Sequence, residues 1–319
     1  MANFVNAESL TYAGKEGQEI FSKDILDLDL RGYGITYMDG VKSKQKLYTG
    51  EVGDLWQSYT CPFSPKGSVN LSESYIEPAA IKVNLEQCYD AFWPTFMVEQ
   101  TEISLNGGVP QTFNDWFFNQ KLRPQMAKEY QEIFFKGDKT YTGATKQYLK
   151  VVNGVEKQLN DATGSTKITG ETLTVNNAIA QVEAVVMKGV DNAAKADVDT
   201  SDYKIFMNYA DVNLLRIALG KLMNGNSTTD VFSNYSKNGD KIGFDGFEIV
   251  PTMQSRGVII FGPAKNLVLG YDTFDSHIEY RVIDMKETTG DNEFRVIAIS
   301  NIAVGIVLPE LFTISKVSA

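Results

Sequence analysis

Asn114-Asp115-Trp116-Phe117-Phe118-Asn119-Gln120-Lys121-Leu122-Arg123-Pro124-Gln125-Met126-Ala127-Lys128-Glu129-Tyr130-Gln131-Glu132-Ile133-Phe134-Phe135-Lys136-Gly137 is the clearest helical signal in the chain, and the fold reading turns on it. Phe118, Leu122, Met126, Tyr130 and Ile133 follow one another at steps of four and three, which places them on one helix face. Asn114 is the expected N-cap, and Asp115 in the first turn suits the positive end of the helix dipole. Gly137 is a good residue just past the last turn. Pro124 inside the pattern predicts a kink near Arg123 or a division into two helices. Truncating one buried aromatic of this helix, such as Phe118→Ala, is expected to cost roughly 3–5 kcal/mol.

Upstream, residues 1–40 read as an arm, with short apolar pairs among charges and nothing that forms a core alone. Residues 41–80 are punctuated by Gly50, Gly53, Pro62, Pro65, Gly67 and Pro78. Leu47–Thr49 and Trp56–Thr60 read as strands, with Cys61–Ser68 as a tip, so this segment is predicted to be a projecting hairpin. A lone hairpin is marginal in water, and a projecting one suggests a partner surface. Ile81–Leu85 alternates like a strand, and Glu86–Trp93 has helical spacing that stops at Pro94.

Downstream, residues 138–175 read as turns with short strands. Ala178–Val190 is an amphipathic helix with Ala178, Val182, Val185, Val186 and Val190 on one face. Tyr203–Met207 is a strand leading into a helix at 210–223 carrying Val212, Leu215, Ile217, Leu219 and Leu222. A loop at 224–240 precedes strands at Lys241–Val250, Gly257–Gly262 and Asn266–Leu269. Alternation resumes at His277–Ile283, Glu293–Ser300 and Ala303–Leu308, and Leu311–Ile314 ends the pattern. The mixture of separate helical and strand runs, without an internal repeat, predicts an α+β fold.

The 319 residues suffice for one large domain or two modest ones, and 43% are apolar, enough for a sizeable core. The net charge is −10 and the pI about 4.8. With no basic run beyond the alternating Lys42, Lys44 and Lys46, tight direct nucleic-acid binding is disfavoured, because phosphate contacts need a concentrated basic face. Cys61 and Cys88 are too few for a disulfide scaffold and fit a reducing compartment, although their redox state is left open. The N-terminus lacks the basic and apolar regions of a signal peptide, and no window approaches a membrane span. A soluble protein of cytoplasmic origin is expected.

Chemistry is sparse. His277 is the single histidine, which removes most Ser-His and Cys-His nucleophile schemes and most zinc sites. Its place on an alternating strand favours a structural or surface role. Cys61 and Cys88 lack C-x-x-C spacing. Gly143-Ala144-Thr145-Lys146 lacks the glycine spacing of a P-loop, and Gly32-Tyr33-Gly34 lacks that of a dinucleotide turn. Asn226-Ser227-Thr228 matches a glycosylation pattern by chance, without a secretory signal beside it. The acids are scattered, and no pair stands out. No catalytic, cofactor-binding or metal residue is assigned.

Three stretches carry a family resemblance. Glu77–Cys88 through Phe92-Trp93 resembles the exit from the extended hairpin in capsid proteins of phages of Bacteroidetes hosts. Met126–Gly137 resembles a capsid spine helix. Asp202–Asn208, Gly246–Pro251 and Pro263–Leu267 resemble an axial-domain core and the return from it. Their order resembles the Hong Kong 97-type major capsid protein of tailed phages (Caudoviricetes). That resemblance implies an N-terminal arm (1–40), an E-loop (41–80), a peripheral domain (81–144 and 263–319) with the long spine helix, and an axial domain (145–262). It implies self-assembly as hexamers and pentamers into an icosahedral head enclosing double-stranded DNA without sequence-specific binding. Scaffolding, portal and decoration proteins are the implied partners, with no cofactor and no membrane. The implied location is the virion capsid, with synthesis in the bacterial host cytoplasm. The chain opens at Met1 with no long acidic helical prologue, so a separate scaffolding protein, or no proteolytic loss, is expected. Lys42, Lys44, Lys46 and Lys66 lie where some family members cross-link, but no partner or catalytic acid is assigned.

On this reading Trp56, Tyr59 and Phe63 anchor the hairpin on an adjacent subunit, because a thin hairpin gives aromatic groups little core of their own. Packing within the hairpin's own base is the competing explanation. Rival functions are an encapsulin-like compartment shell, which would enclose protein cargo, another phage structural part such as a tail or decoration protein, and a hydrolase using unmarked carboxylates.

Overall fold

The computed structural model describes residues 11–13, 32–53, 56–59, 61, 65–109, 111–225, 242–271, 279–286 and 289–317. Most of the arm, Phe63, the 226–241 loop with Asn226-Ser227-Thr228, and His277 lie outside them. In chain order the strands are β1 (Thr11–Ala13), β2 (Thr36–Asp39), β3 (Gln45–Val52), β4 (Val69–Ile76), β5 (Pro78–Cys88), β6 (Thr166–Gly170), β7 (Tyr203–Asn208), β8 (Ile242–Phe244), β9 (Phe247–Thr252), β10 (Ile259–Pro263), β11 (Leu267–Tyr271), β12 (Glu279–Asp284), β13 (Glu293–Ile306) and β14 (Thr313–Val317). The helices are α1 (Tyr89–Leu105), α2 (Phe113–Phe117), α3 (Arg123–Lys136), α4 (Val155–Asp161), α5 (Ala178–Lys195) and α6 (Tyr209–Gly225).

Two sheets and a separate hairpin result. The first sheet runs β1-β12-β13-β11-β2, with β5 also on β13. The second runs β6-β14-β10-β7-β9-β8, and among the described residues β3 pairs only with β4. The α+β class is therefore observed. β13 is one strand, where the sequence suggested two. Nothing at Asn301-Ile302 breaks it, because β5 stays in antiparallel register from Glu293↔Cys88 through Ala303↔Pro78. Its first half alternates, with Phe294, Val296 and Ala298 buried, as befits a sheet packed on one face. From Ile302 to Ile306 every residue is buried, since both faces are covered there. Ile302, Val304 and Ile306 join the central core, and Ala303 faces the hairpin base.

The second sheet is also covered on both sides, which explains its continuous apolar strands. Along β7, Ile205 and Met207 pack with Val182, Val185, Val212 and Leu215 of α5 and α6. Phe206 between them packs on the opposite face with Phe134, Phe135, Val155 and Leu159 of α3 and α4. At Gly189 of α5, a Cβ would lie 2.2 Å from the Phe261 ring, so glycine lets helix and sheet touch. β14 lies in this sheet, between β6 and β10.

Several local expectations change. Helix α1 continues through Pro94 to Leu105 instead of stopping there. Proline costs a helix interior about 3 kcal/mol, but Tyr89, Phe92, Trp93 and Phe96 all pack into an aromatic core with Phe113, Trp116, Phe117 and Phe294. The 114–136 run is divided, as Pro124 required, by a π turn at Phe118–Leu122, and Pro124 falls in the first turn of α3, where its missing N–H is harmless. Its N-cap is Thr112 rather than Asn114, because the Thr112 hydroxyl is placed to accept the Asp115 N–H at 3.2 Å. Gly137 has φ −49°, so it is no left-handed cap. Its Cβ would sit 2.3 Å from the Val152 carbonyl, and Gly154 N–H donates to Gly137 O at 2.7 Å, so two backbones approach closely there. α4 falls in the stretch read as turns with short strands. Ile217 is exposed, because it lies off the face shared by Val212, Leu215 and Leu219. In the hairpin, the second strand is β4 and not the alternating run at 56–60. Fully buried Ile76 pairs with Gln45 at the base, and the described residues 53, 56–59, 61 and 65–68 belong to the connection.

Buried charge ties α3 to the segment after it. Glu132 is buried, and its carboxylate accepts Lys146 Nζ at 2.8 Å to each oxygen and the Tyr148 hydroxyl at 2.6 Å, with Lys136 Nζ at 3.5 Å. Lys146 adopts a left-handed φ of 54° in making this contact. Burial alone raises the Glu132 pKa, but the hydrogen bonds from Lys146 and Tyr148 and the two lysine charges outweigh it and hold the carboxyl below its ordinary value.

Two measurements follow. Phe294→Ala, removing a ring 4.9 Å from those of both Tyr89 and Phe117, is expected to cost about 3–5 kcal/mol in urea unfolding. Phe118→Ala costs less, since Phe118 is only half-buried. Glu132→Gln is expected to cost about 1–2 kcal/mol at neutral pH, Lys146 being partly exposed. A depressed folded pKa stabilises above the unfolded value, so the wild-type advantage should fade as pH drops below about 4.3. A difference that stays constant into acid would show that the charge is not responsible.

Candidate assembly surface

Among the described residues the β3–β4 hairpin has a core at its base alone. There Leu47 packs against Val41, Ile76, Val268 and Ala303. Gly270 and Gly305 thin the sheet beneath it: a Cβ on Gly270 would lie 2.8 Å from Ile76, and one on Gly305 3.3 Å from Leu47. Farther out the strands carry a polar and aromatic surface. Lys46 Nζ pairs with Glu73 at 2.7 Å, and the Tyr75 hydroxyl donates to the same carboxylate at 3.1 Å. Lys44 Nζ lies 4.5 Å over the Tyr75 ring.

At the connection, Trp56 and Tyr59 are each 93% exposed. Neither packs within the hairpin base. Lys66 Nζ donates to the Trp56 carbonyl at 3.2 Å. Two large aromatic side chains almost wholly in water are unusual for a finished surface, and aromatic groups are the ones that dominate interface energetics.

The five residues read as one helix face serve two cores. Leu122 is buried in the aromatic core, with Phe118 and Met126 packed against it. Tyr130 and Ile133 lie in the central core. Between them, α3 and the β5–β13 ribbon leave a groove of about 240 Å³, lined by Ile81, Val83, Met126, Tyr130, Ile133 and Val151 among others. The charged residues lining it are Lys82 and Glu129.

A second exposed apolar surface, unmarked by any pattern in the sequence, lies on α1 and just past its end. Tyr89, Phe96 and Gln100 point inward, whereas Met97, Val98, Leu105 and Val109 are exposed. Its apolar residues go all the way round the helix, so periodicity does not say which side lacks cover.

Several acids are engaged in holding the fold. Asp211, fully buried, accepts Arg256 Nε at 2.9 Å and the Gly257 N–H at 2.7 Å, joining the start of α6 to the loop before β10. Glu156 accepts the Ser255 N–H at 2.6 Å, and burial pushes its pKa up. Among the described residues no group of three His, Cys, Asp or Glu side chains is placed to hold a metal ion. Cys61 is exposed and Cys88 half-buried, and both are free thiols. No helix among the described residues is long and apolar enough to cross a membrane.

No protein-family model matches the sequence, and no curated protein matches it. Solved structures do. A chain of the satellite phage P4 procapsid that includes the size determination (Sid) protein superposes with a TM-score of 0.61 at 11% identity, covering 98% of this chain and 94% of that one. The capsid of the native GTA particle, computed with C5 symmetry, gives 0.55 at 13% identity, over 92% of this chain and 90% of that one. The capsid of Myoviridae phage XM1 gives 0.55 at 12% identity, over 91% and 92%. At these identities the likeness is one of fold, and it extends over nearly the whole length of both partners. The chain has the α+β fold of phage capsid proteins.

Proposed function

We propose that this chain is the major capsid protein of a tailed bacteriophage, related to those of phages of Bacteroidetes hosts and built on the Hong Kong 97 plan. The observation that carries the reading is the exposed hairpin on a capsid-type body. An element with two almost wholly solvated aromatics and, among the described residues, a core at its base alone is marginal by itself and gains stability when a neighbour covers it. In this assignment residues 1–40 are the arm and 41–80 the E-loop, 81–144 and 263–319 form the peripheral domain, and 145–262 the axial domain. Copies associate as hexamers and pentamers, since heterologous contacts that close give rings. The rings close into an icosahedral head around double-stranded DNA. Arms and E-loops crossing between copies enlarge each interface without enlarging any core.

A net charge of −10 supports a container that encloses nucleic acid without gripping it. Scaffolding, portal and decoration proteins complete the set of partners, and the protein acts in the virion after synthesis in the host cytoplasm. The role is structural, with no catalytic step assigned.

Electron microscopy of the purified full chain, expressed with and without its neighbouring genes, tests this. Closed shells or rings of five and six are expected. A uniform monomer under every condition contradicts it, and shells filled with an enzyme instead of DNA point to a compartment. Trp56→Ala should leave the stability of the unassembled chain within about 0.5 kcal/mol, as for an exposed side chain, while lowering shell yield and shell stability. Unchanged assembly would remove Trp56 from the contact, and a destabilised monomer would place it in the hairpin's own packing.

A further inference from the structure

β5 presents an open edge. Among the described residues its eleven residues pair with β13 alone, so every second residue turns its N–H and C=O away from the sheet. An edge of this length is a template for another strand, and folds blunt such edges with short strands, bulges or charge. The register of β5 with β13 is unbroken from Pro78 to Cys88, so no bulge interrupts it. Its charge follows a pattern. Lys82 and Glu86 lie on one face, placed symmetrically about Asn84, and all three residues are exposed. Lys82 has no acidic partner among the described residues. Glu86 accepts Arg295 Nε from β13, and its side chain stays half exposed.

The opposite face of the strand is apolar. Ile81, Val83 and Leu85 are half-buried there, and the groove under α3 is lined by the first two. That groove exists because Ala298 and Ser300 of β13 and Ala127 of α3 are small where the two cores part. Lys82 lines it as well, although alternation sets its side chain on the other face, so the groove reaches the open edge.

The edge is complementary to itself. In an antiparallel pair related by a two-fold axis at Asn84, Lys82 of each strand lies opposite Glu86 of the other, and Val83 lies opposite Leu85 on the apolar face. Lys82 and Glu86 are the two charges on β5, so this register satisfies both. A slip of one residue would put them on opposite faces from their partners.

We propose that two copies of the chain join edge to edge through β5, antiparallel and centred on Asn84, to make one continuous sheet across a two-fold axis. Lys82 pairs with Glu86 of the second copy, and Leu85 of the second copy covers Val83 at the mouth of the groove. The pairing goes beyond the shell reading and does not depend on it.

Thiol crosslinking of the full chain tests the register. In a Cys61→Ser and Cys88→Ser background, Asn84→Cys sets two thiols opposite each other at the axis, and oxidation should link the chain into a dimer. Lys82→Cys in the same background leaves its two thiols four residues apart, about 13 Å along the strands, and should give about tenfold less dimer. Adding Lys82→Glu to Asn84→Cys opposes like charges and should lower the dimer about tenfold at low salt, with recovery as salt screens them. Both positions are exposed, and thermal unfolding before oxidation checks that each variant folds. Native mass spectrometry of the unmutated chain gives an independent reading, with dimers expected among the unassembled species. Monomers alone, equal crosslinking at the two positions, or a dimer indifferent to Lys82→Glu overturns the pairing. Linkage of Asn84→Cys to a co-expressed protein in place of a second copy overturns it in favour of another partner's strand. None of these results touches the shell reading, which electron microscopy tests separately.

Discussion

The ladder between β5 and β13 is the constraint on which the rest of the structure depends. Its unbroken register from Glu293↔Cys88 to Ala303↔Pro78 runs through two cores. At one end Phe294 and Val296 anchor the aromatic cluster that holds α1 and α2. At the other, Ile302, Val304 and Ile306 enter the central core under α3 and α4, while Ala303 supports the hairpin. A slip of one residue would turn every one of these side chains to the wrong face. The ladder therefore fixes both what is packed and what is left outside. It carries the hairpin beyond one end and the α1 lobe at the other.

The second constraint is the close contact of layers. Gly189 against Phe261, Gly262 against Phe312, and Gly137 against Val152 each leave no room for a Cβ. Polar groups buried among these layers are satisfied locally, as with Gln254, whose Nε2 donates to the Phe206 and Val258 carbonyls at 3.1 and 2.5 Å. A body packed this closely gives its exposed apolar groups nowhere to retreat. Trp56, Tyr59, Val98 and Leu105 stay in water in the single chain.

Much of the fold was legible because its signals are local. The run Ile205-Phe206-Met207 reads as a strand buried on both faces, and the step pattern of Val182, Val185 and Val186 gives the face of α5. Pro124 announced the division between α2 and α3, though not the π turn that makes it. What was not legible depends on distant partners. The continuation of α1 through Pro94 needs Phe294, two hundred residues later, in the same aromatic cluster. Nothing near Thr313 tells that β14 joins the second sheet, since that pairing is set by β6 and β10. The thin hairpin and its aromatics were visible as a candidate contact surface, but α1 was not, because apolar residues spread around a helix read the same whether one face or both are covered.

The central claim is that surfaces solvated in the single chain become buried between copies. Oxidative footprinting of the unassembled chain and of purified shells measures this at Trp56, Tyr59 and Met97, three oxidisable side chains on the two surfaces. All three should be labelled readily in the free chain and be protected in the shell. Equal labelling in both states would contradict the account, because the shell would then be held together by some other face of the molecule.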